Sequence, residues 1–135
     1  MNNRIVLIDI KKLKSHEETN KKHLQGLIIK IKQDGFLKNP VVVEDINFII
    51  LDGHHRVAAL KQMGVDKIPA FLVDYKSNKI RVTLRRKEFV INDIKQTVIN
   101  YCKEGKIFPS KTTHHFIEGR PKDINYKISK LFNNH

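Results

Sequence analysis

The stretch ILDGHHRVAALKQMG, residues 50–64, decides the fold. An aliphatic run leads into Asp52 and Gly53, and two histidines and an arginine follow before an apolar helical pattern begins. Because glycine adopts backbone conformations that other residues avoid, Gly53 favours a tight turn between a strand and a helix. The free N–H groups and the positive end of such a helix bind anions. The stretch therefore predicts a strand, an anion-binding turn and a helix that ends near Gly64.

The side chains of this turn suit a phosphate group. His54 and His55 offer donors, and Arg56 can make a bidentate contact with a phosphate. Asp52 could hold a magnesium ion that bridges phosphates, or it could simply cap the helix. In the alternative without a ligand, Asp52 is such a cap, the histidines are exposed and Arg56 pairs locally.

Patterns on both sides of the turn predict the remaining elements. Branched aliphatic runs predict strands, and apolar residues that recur every three or four positions predict amphipathic helices. The predicted strands are residues 5–10, 41–44, 48–51, 68–75 and 79–84, and the further predicted helices are residues 20–33 and 88–103. The order β-α-β-β-α-β, with extra C-terminal elements, predicts an α+β or mixed fold in one pair of layers.

Composition and charge bound the class of protein. The chain has 135 residues, the length of one ordinary domain, and we predict a single domain over residues 1–135. The formal net charge of +12 favours anionic partners such as nucleic acid, nucleotides, phosphorylated metabolites or acidic lipid. The lone Cys102 cannot form an internal disulfide, and the apolar runs are too short to span a bilayer. These features predict a cytoplasmic protein with no membrane partner.

Two further clusters carry groups that suit a ligand. KIFPSKTTHH, residues 106–115, places an ammonium group, two hydroxyls and two imidazoles within five residues. This chemistry suits a carboxylate or a phosphate, although such segments are often only surface loops. SHEET, residues 15–19, places Glu17 and Glu18 after the first strand. The ordinary role of acidic residues there is to favour a helix N-terminus.

Other classes of site have little support in the sequence. Adjacent histidines on a helix do not readily bind one zinc ion, the only thiol is Cys102, and the HExxH and CxxC spacings are absent. The GxxxxGK[ST] loop and the GxSxG turn are also absent, which argues against a P-loop kinase and a serine hydrolase. A nuclease would need clustered carboxylates, and only Asp52 with one early glutamate is available.

The clusters together resemble a known family. Residues 5–75 resemble the ParB/sulfiredoxin superfamily, in which a G-x-x-R turn between a strand and a helix binds nucleotide phosphates. ILDGHHRVAALKQMGVDKIPAFLVDY, residues 50–75, is most similar to the free serine kinases, which phosphorylate L-serine to O-phospho-L-serine. GKIFPSKTTHHFIEGRP, residues 105–121, resembles their G-x-x-F-P-x-K-[ST]-T-x-H motif. The resemblance implies a mixed sheet with flanking helices and a short C-terminal extension.

The resemblance also implies an enzyme that transfers a phosphoryl group from ATP or ADP to free L-serine with magnesium. Asp52 would lie near the transferred group or the magnesium ion, and Glu17 or Glu18 would accept the serine proton. The nucleotide phosphates would be held by Gly53, His54, His55 and Arg56. The serine carboxylate or the product phosphate would be held, within a substrate-binding segment 106–135, by Lys111, Thr112, Thr113 and His115.

Three departures from the relatives limit what the resemblance implies. Known free serine kinases are longer, which implies a missing insert between Leu84 and Phe108. Sulfiredoxins have a cysteine at the position of His54, and its absence removes the nucleophile. ParB partition proteins continue with helix-turn-helix segments, and nothing after Tyr75 has that pattern. The alternative function is a ParB-like module that senses nucleotide and binds DNA through a basic face without turnover.

Overall fold

The computed structural model describes residues 5–133. Residues 1–4, 134 and 135 of the domain predicted over 1–135 therefore lie outside the described part. Within it, the strands are β1 (Ile5–Asp9), β2 (Phe36–Leu37), β3 (Val41–Glu44), β4 (Ile50–Asp52), β5 (Lys67–Val73), β6 (Ile80–Leu84), β7 (Thr113–Ile117) and β8 (Tyr126–Lys127). The helices are α1 (Lys21–Asp34), α2 (His54–Gln62) and α3 (Ile94–Glu104), with 3-10 turns at Ile10–Lys12 and Ile128–Leu131. None of these helices is long and apolar enough to cross a membrane.

A four-stranded sheet in the order β1-β5-β3-β4 forms the centre of the fold. Strand β5 runs antiparallel to β1 and parallel to β3, and β3 pairs antiparallel with β4. Strand β3 lies between two neighbours and is buried along its whole length, which explains its unbroken aliphatic run. The predicted α+β class with a mixed sheet is confirmed.

Apolar side chains of the central sheet enter two cores. Val41 and Val43 point to the face that is covered by α1 and α2, whereas Val42 points to the opposite face, because side chains alternate along a strand. The opposite face packs against α3 through Val98 and against β7 through Ile117. Both faces of the sheet are therefore covered, and the edge where β4 meets α2 lies between the two cores.

The C-terminal part differs from the prediction in two ways. Helix α3 begins at Ile94, and not at Glu88, because the Asp93 side chain accepts a hydrogen bond from the Gln96 N–H and caps the helix there. The strand β7 was not predicted, and it pairs antiparallel with β6 over its whole length. Because of this pairing, residues 111–115 (the KTTHH residues) lie beside β4.

The segment before α1, residues 15–20, is held between two parts of the chain. We call it the N-terminal segment. Just before it, the Ile50 N–H donates to the carbonyl oxygen of Lys14. Within it, the Phe108 N–H donates to the carbonyl oxygen of His16, and the Glu18 N–H donates to that of Phe108. These bonds place the N-terminal segment beside residues 52–56, which we call the DGHHR turn, and beside strand β7.

Candidate active site

One pocket of about 330 Å³ lies where the N-terminal segment, the DGHHR turn and the KTTHH residues meet. The three clusters that the sequence presents separately therefore line one cavity. The predicted residues in its wall are Glu17, Asp52, Gly53, His54, His55, Arg56, Lys111, Thr113 and His115. The wall also contains residues without a predicted role, namely His23, Leu27, Leu51, Arg85 and His114.

Gly53 is required by the geometry of the DGHHR turn. Its φ of 107° lies in the left-handed region, and a Cβ atom there would come within 2.6 Å of the Val41 side chain. Helix α2 then begins at His54 without a side-chain cap. The helix cap that the sequence offered as a role for Asp52 is therefore wrong. The uncapped N–H groups at the start of α2 remain suited to an anion.

The carboxylate of Asp52 is bound by two arginines. Its Oδ2 atom accepts from Nη2 of Arg56 at 3.1 Å and from Nη2 of Arg120 at 2.6 Å. Burial raises the pKa of Asp52, but the positive charges of Arg56 and Arg120 outweigh it and hold the pKa below its usual value. Asp52 is therefore ionised at the mouth of the pocket.

The guanidinium group of Arg56 is fixed by the backbone as well as by Asp52. Nη1 donates to the carbonyl oxygens of Asn39 and Pro40, at 3.0 and 2.9 Å. The local pairing that the sequence offered as the alternative role of Arg56 is thus present. A side chain held by three acceptors is also preorganised for a ligand, because little conformational freedom is left to lose.

Glu17 is buried in the pocket wall and hydrogen-bonded to strand β7. Its Oε2 atom accepts from the N–H of Thr113 at 2.8 Å and from the Thr113 hydroxyl. Nε2 of His16, which is fully buried, lies 3.5 Å from the same oxygen. Burial raises the pKa of Glu17, but the hydrogen bonds from His16 and Thr113 lower it to about 2. Glu17 is therefore a carboxylate at neutral pH.

Glu18 lies outside the pocket. Its side chain is exposed, and its N–H donates to the carbonyl oxygen of Phe108. The backbone bridge between Glu17 and Phe108 makes the segment strand-like at this point, so adjacent side chains point to opposite sides. The structure thus brings Glu17 to the site, and it does not bring Glu18.

The rings of His54 and His55 accept hydrogen bonds from the N-terminal segment. The His16 N–H donates to Nε2 of His54 at 3.2 Å, and the Asn20 N–H donates to Nε2 of His55 at 2.8 Å. The ring of His55 also stacks on His23, with centroids 4.2 Å apart. Burial and the neighbouring His16 lower the pKa of His54 to about 3. Burial also lowers the pKa of His55.

The KTTHH residues divide between the pocket and the core. Thr113 contacts Glu17, Lys111 is exposed at the pocket rim, and the buried His115 makes a 2.8 Å contact with the Tyr75 hydroxyl through Nε2. Burial lowers the pKa of His115 to about 3. The structure does not favour a ligand contact by Thr112, because this residue is fully buried and its hydroxyl donates to the carbonyl oxygen of Pro109.

A second cavity of about 470 Å³ adjoins the first and shares Leu27, Asp52 and Arg56 with it. Its floor is apolar and its rim carries lysines. The other lining residues that matter are Lys30, Ile31, Phe36, Leu37, Lys38, Arg120 and Lys122. An apolar slot that continues from a cationic turn suits an aromatic base joined to phosphates.

Among residues 5–133, no group of three or more His, Cys, Asp or Glu side chains is arranged to hold a metal ion. Magnesium has a different requirement, because it is commonly bound by one or two carboxylates together with substrate phosphates and water. Asp52 fits that requirement, since both arginine bonds use Oδ2 and the side chain is 42% exposed.

The sequence analysis gave no role to several residues that lie at the site, and most of these lie outside the three predicted clusters. Arg120 reaches Asp52 across 68 positions, and no motif in the sequence links the two residues. His16 did have a signal, because it directly precedes Glu17 in a short polar segment. Arg85 faces the pocket because it follows β6, the pairing partner of β7.

Comparisons with known proteins agree with this architecture. The chain is 38% identical over 81 residues to an ATP-dependent L-serine kinase of Staphylothermus marinus, covering 57% of this chain and 32% of that protein. It is 31% identical over 105 residues to an ADP-dependent L-serine kinase of Thermococcus kodakarensis, covering 74% of this chain and 43% of that protein. The chain thus spans less than half the length of these curated relatives.

A solved structure of a free serine kinase mutant in complex with AMP superimposes with a TM-score of 0.87. The superposition covers 95% of this chain and 93% of the other, at 17% sequence identity, and it therefore shows a shared fold. The family model of the ParB N-terminal domain matches residues 1–86, which is more than half of the chain. The chain belongs to the ParB N-terminal domain family.

Proposed function

We propose that this chain is a nucleotide-dependent phosphotransferase that moves a phosphoryl group from ATP or ADP to free L-serine and so forms O-phospho-L-serine. The observation that carries the proposal is Glu17, a buried carboxylate in the same pocket as an uncapped helix N-terminus. Phosphoryl transfer needs an anion cradle, charge neutralisation and a group that orients the attacking hydroxyl. The names of the relatives supply the substrates.

The nucleotide phosphates lie at the start of α2 in this proposal. Gly53 lets the ligand approach the backbone, the free N–H groups of the first turn donate to the phosphates, and Arg56 supplies a fixed positive charge. The imidazoles of His54 and His55 line the same wall. The adjoining 470 Å³ cavity then receives the nucleoside, because it continues from the turn and has an apolar floor.

Asp52 is the residue that would hold magnesium. A magnesium ion held by Asp52 would supply positive charge to offset the negative charge that develops on the phosphoryl group. Arg120 and Arg56 hold the Asp52 carboxylate from one oxygen, and this keeps it at the mouth of the pocket.

Serine lies on the side of the pocket that is formed by the N-terminal segment and β7. Glu17 orients the serine hydroxyl and accepts its proton as the oxygen attacks the phosphorus atom. Lys111 at the rim attracts the serine carboxylate, and Thr113 and His115 complete the wall. Thr112 supports this wall through its bond to Pro109. We place the reaction in the cytoplasm, in keeping with the single thiol.

The decisive experiment is phosphorus NMR of the purified protein with magnesium and L-serine, with either ATP or ADP as the donor. The expected result is an O-phosphoserine signal that grows with time and requires both serine and protein. Matched reactions without serine, and with D-serine, control for nucleotide hydrolysis. Absence of phosphoserine with both donors, together with DNA affinity that falls steeply with salt, would instead establish the nucleotide-sensing DNA-binding alternative.

A further inference from the structure

Glu17 lies in a segment that has no helix or strand of its own to hold it. Two hydrogen bonds fasten this segment to the start of α2, one on each side of Glu17. The His16 N–H is bound to Nε2 of His54, and the Asn20 N–H is bound to Nε2 of His55. The two bonds span 38 and 35 positions of sequence. The backbone bonds to Phe108 hold the segment against the other side of the pocket, and the two imidazoles are what join it to the start of α2.

The direction of these bonds fixes the chemistry of the rings. A ring nitrogen that accepts a hydrogen bond carries no proton, so each ring is neutral and has its proton on Nδ1. A protonated imidazole would donate from both nitrogens and leave the backbone N–H of the N-terminal segment without its acceptor. The loss is costly for the His16 N–H, which is partly buried, and smaller for the Asn20 N–H, which is exposed. The bonds are thus compatible only with uncharged rings.

Both rings also form part of the pocket wall, beside the uncapped N–H groups of α2. A neutral ring that is held through Nε2 still has one donor, the Nδ1–H group. That donor is suited to a phosphate oxygen, as are the neighbouring backbone N–H groups. The cationic side chains in the pocket wall are those of Arg56, Arg85 and Lys111.

We propose that His54 and His55 are positioning residues that join the two halves of the site, holding the segment of Glu17 through Nε2 and donating to the bound phosphate through Nδ1–H. The inference rests on the proposed function for its second half. A nucleotide that orders the two rings would thereby order the carboxylate that receives the serine proton. Binding of one substrate would then set the geometry for the other.

Kinetics of two substitutions at one position separate positioning from general support of the fold. His54→Ala removes both the Nε2 acceptor and the Nδ1–H donor, and we expect kcat to fall at least tenfold, by a larger factor than any rise in KM for the nucleotide. His54→Gln keeps a side-chain acceptor at similar reach, and we expect it to restore most of kcat. Equal losses in both variants, or a loss confined to the nucleotide KM, would overturn the proposal.

Nitrogen-15 NMR of the histidine rings in the unmodified protein tests the inference even when variants do not fold. At pH 7.5, we expect His54 and His55 both to carry the proton on Nδ1, and ADP to shift the Nδ1 resonances. The opposite tautomer, charged rings or unmoved resonances would overturn it. If the tautomers are as expected and no phosphoserine forms, the proposed function fails while the anchoring of the N-terminal segment stands.

Discussion

His54 and His55 begin a helix, whereas His114 and His115 lie in strand β7. On the first turn of α2, both rings can reach the same neighbouring segment, and both accept its backbone N–H groups. In the strand, successive side chains alternate, so His115 is buried against Tyr75 while His114 lies against Phe116. The two His-His pairs therefore differ. The rings of His54 and His55 both bind the same segment, whereas those of His114 and His115 contact different parts of the protein.

The two pairs share one property, which is that their buried members are uncharged. Burial lowers the pKa of His54, with help from His16, and it lowers that of His115, in each case to about 3. The formal net charge of +12 likewise counts all seven histidines as neutral. The structure places arginine and lysine side chains in the pocket wall, and it uses His54 and His55 as neutral acceptors.

The largest effect that we expect concerns Glu17, whose segment is bound by His54 and His55, the helical histidine pair. Glu17→Gln should reduce turnover of serine by about 10²-fold or more, because the amide cannot accept the proton of the hydroxyl. Nucleotide binding should stay nearly intact. Phosphoserine formation and calorimetric titration with ADP measure the two quantities.

Glu18→Gln is the matched control for that substitution, since it makes the same change one residue away on an exposed side chain. We expect turnover within twofold of the unmodified protein. Were Glu18→Gln the more damaging of the two, the base would lie on the other side of the segment. The anchoring of Glu17 by His54 and His55 would then have no catalytic purpose.

The sequence could distinguish the elements around the DGHHR turn because their periodicities are carried by apolar residues. Strand β7 has an equally regular pattern, with every second residue buried, but two of its buried residues are Thr113 and His115. A pattern of polar residues facing inward gives no hydrophobic signal. The strand was missed for this reason, although Thr113 and His115 were grouped as candidate site residues and do line the pocket.

The choice between Glu17 and Glu18 could not be made from the sequence either. Both are glutamates in a short polar segment, and their sides are set by the backbone bridge to Phe108, which lies far along the chain. The contact of Arg120 with Asp52 depends on the same kind of long-range packing. Local patterns therefore located the three clusters, while only the fold could join them into one pocket.

Acidification should destabilise the protein through one member of each histidine pair. The folded-state pKa of both His54 and His115 is about 3, below the ordinary value of 6.5. The unfolded chain therefore binds more protons between these values, and stability is full above pH 6.5 and falls as the pH drops below it. The expected slope is up to about 1.4 kcal/mol per pH unit for each ring.

Urea denaturation at pH 7.5, 6.5 and 5.5 measures this loss. The lowered pKa of Glu17, about 2 against 4.5, adds a further loss only when the pH falls below 4.5. His115→Phe should reduce the slope between pH 6.5 and 5.5 without abolishing it, because one neutral ring is gone while His54 and His55, whose pKa values are also lowered, remain. Constant stability over this range would mean that the folded protein does not hold His54 and His115 neutral, so the two pairs would not share this property.

Because His114 and His115 lie on opposite sides of β7, the same substitution at the two positions should lower the free energy of unfolding by different amounts. His115→Phe leaves the buried Tyr75 hydroxyl without its partner, and we expect a loss of about 1–3 kcal/mol in the free energy of unfolding. His114→Phe places the same ring on the less buried side, and we expect a change within about 0.5 kcal/mol. Chemical denaturation at pH 7.5 compares them. Equal costs would contradict the alternation of the two histidines.

The smallest effect that we expect concerns helix α1, whose His23 stacks on His55 of the helical histidine pair. Gly26 is an exposed position inside α1, three residues after His23 and four before Lys30, which line the two cavities, although Gly26 itself lines neither. A Cβ atom at Gly26 would meet no other atom within 4 Å. Glycine in a helix interior costs about 0.5–1 kcal/mol relative to alanine, so Gly26→Ala should stabilise the free protein by about that amount.

The same methyl group should weaken nucleotide binding, because it lies one helical turn from His23, whose ring stacks on His55 in the pocket wall. We expect the dissociation constant for ADP to rise severalfold while the midpoint of urea denaturation also rises, a combination that general damage to the fold does not produce. Gln25→Ala, on an exposed and neighbouring position outside both cavities, is the control and should leave ADP affinity unchanged. If Gly26→Ala binds ADP as the unmodified protein does, the nucleotide does not run along α1. The helical histidine pair would then face a wall that the ligand does not use, and its role would be reduced to holding the N-terminal segment.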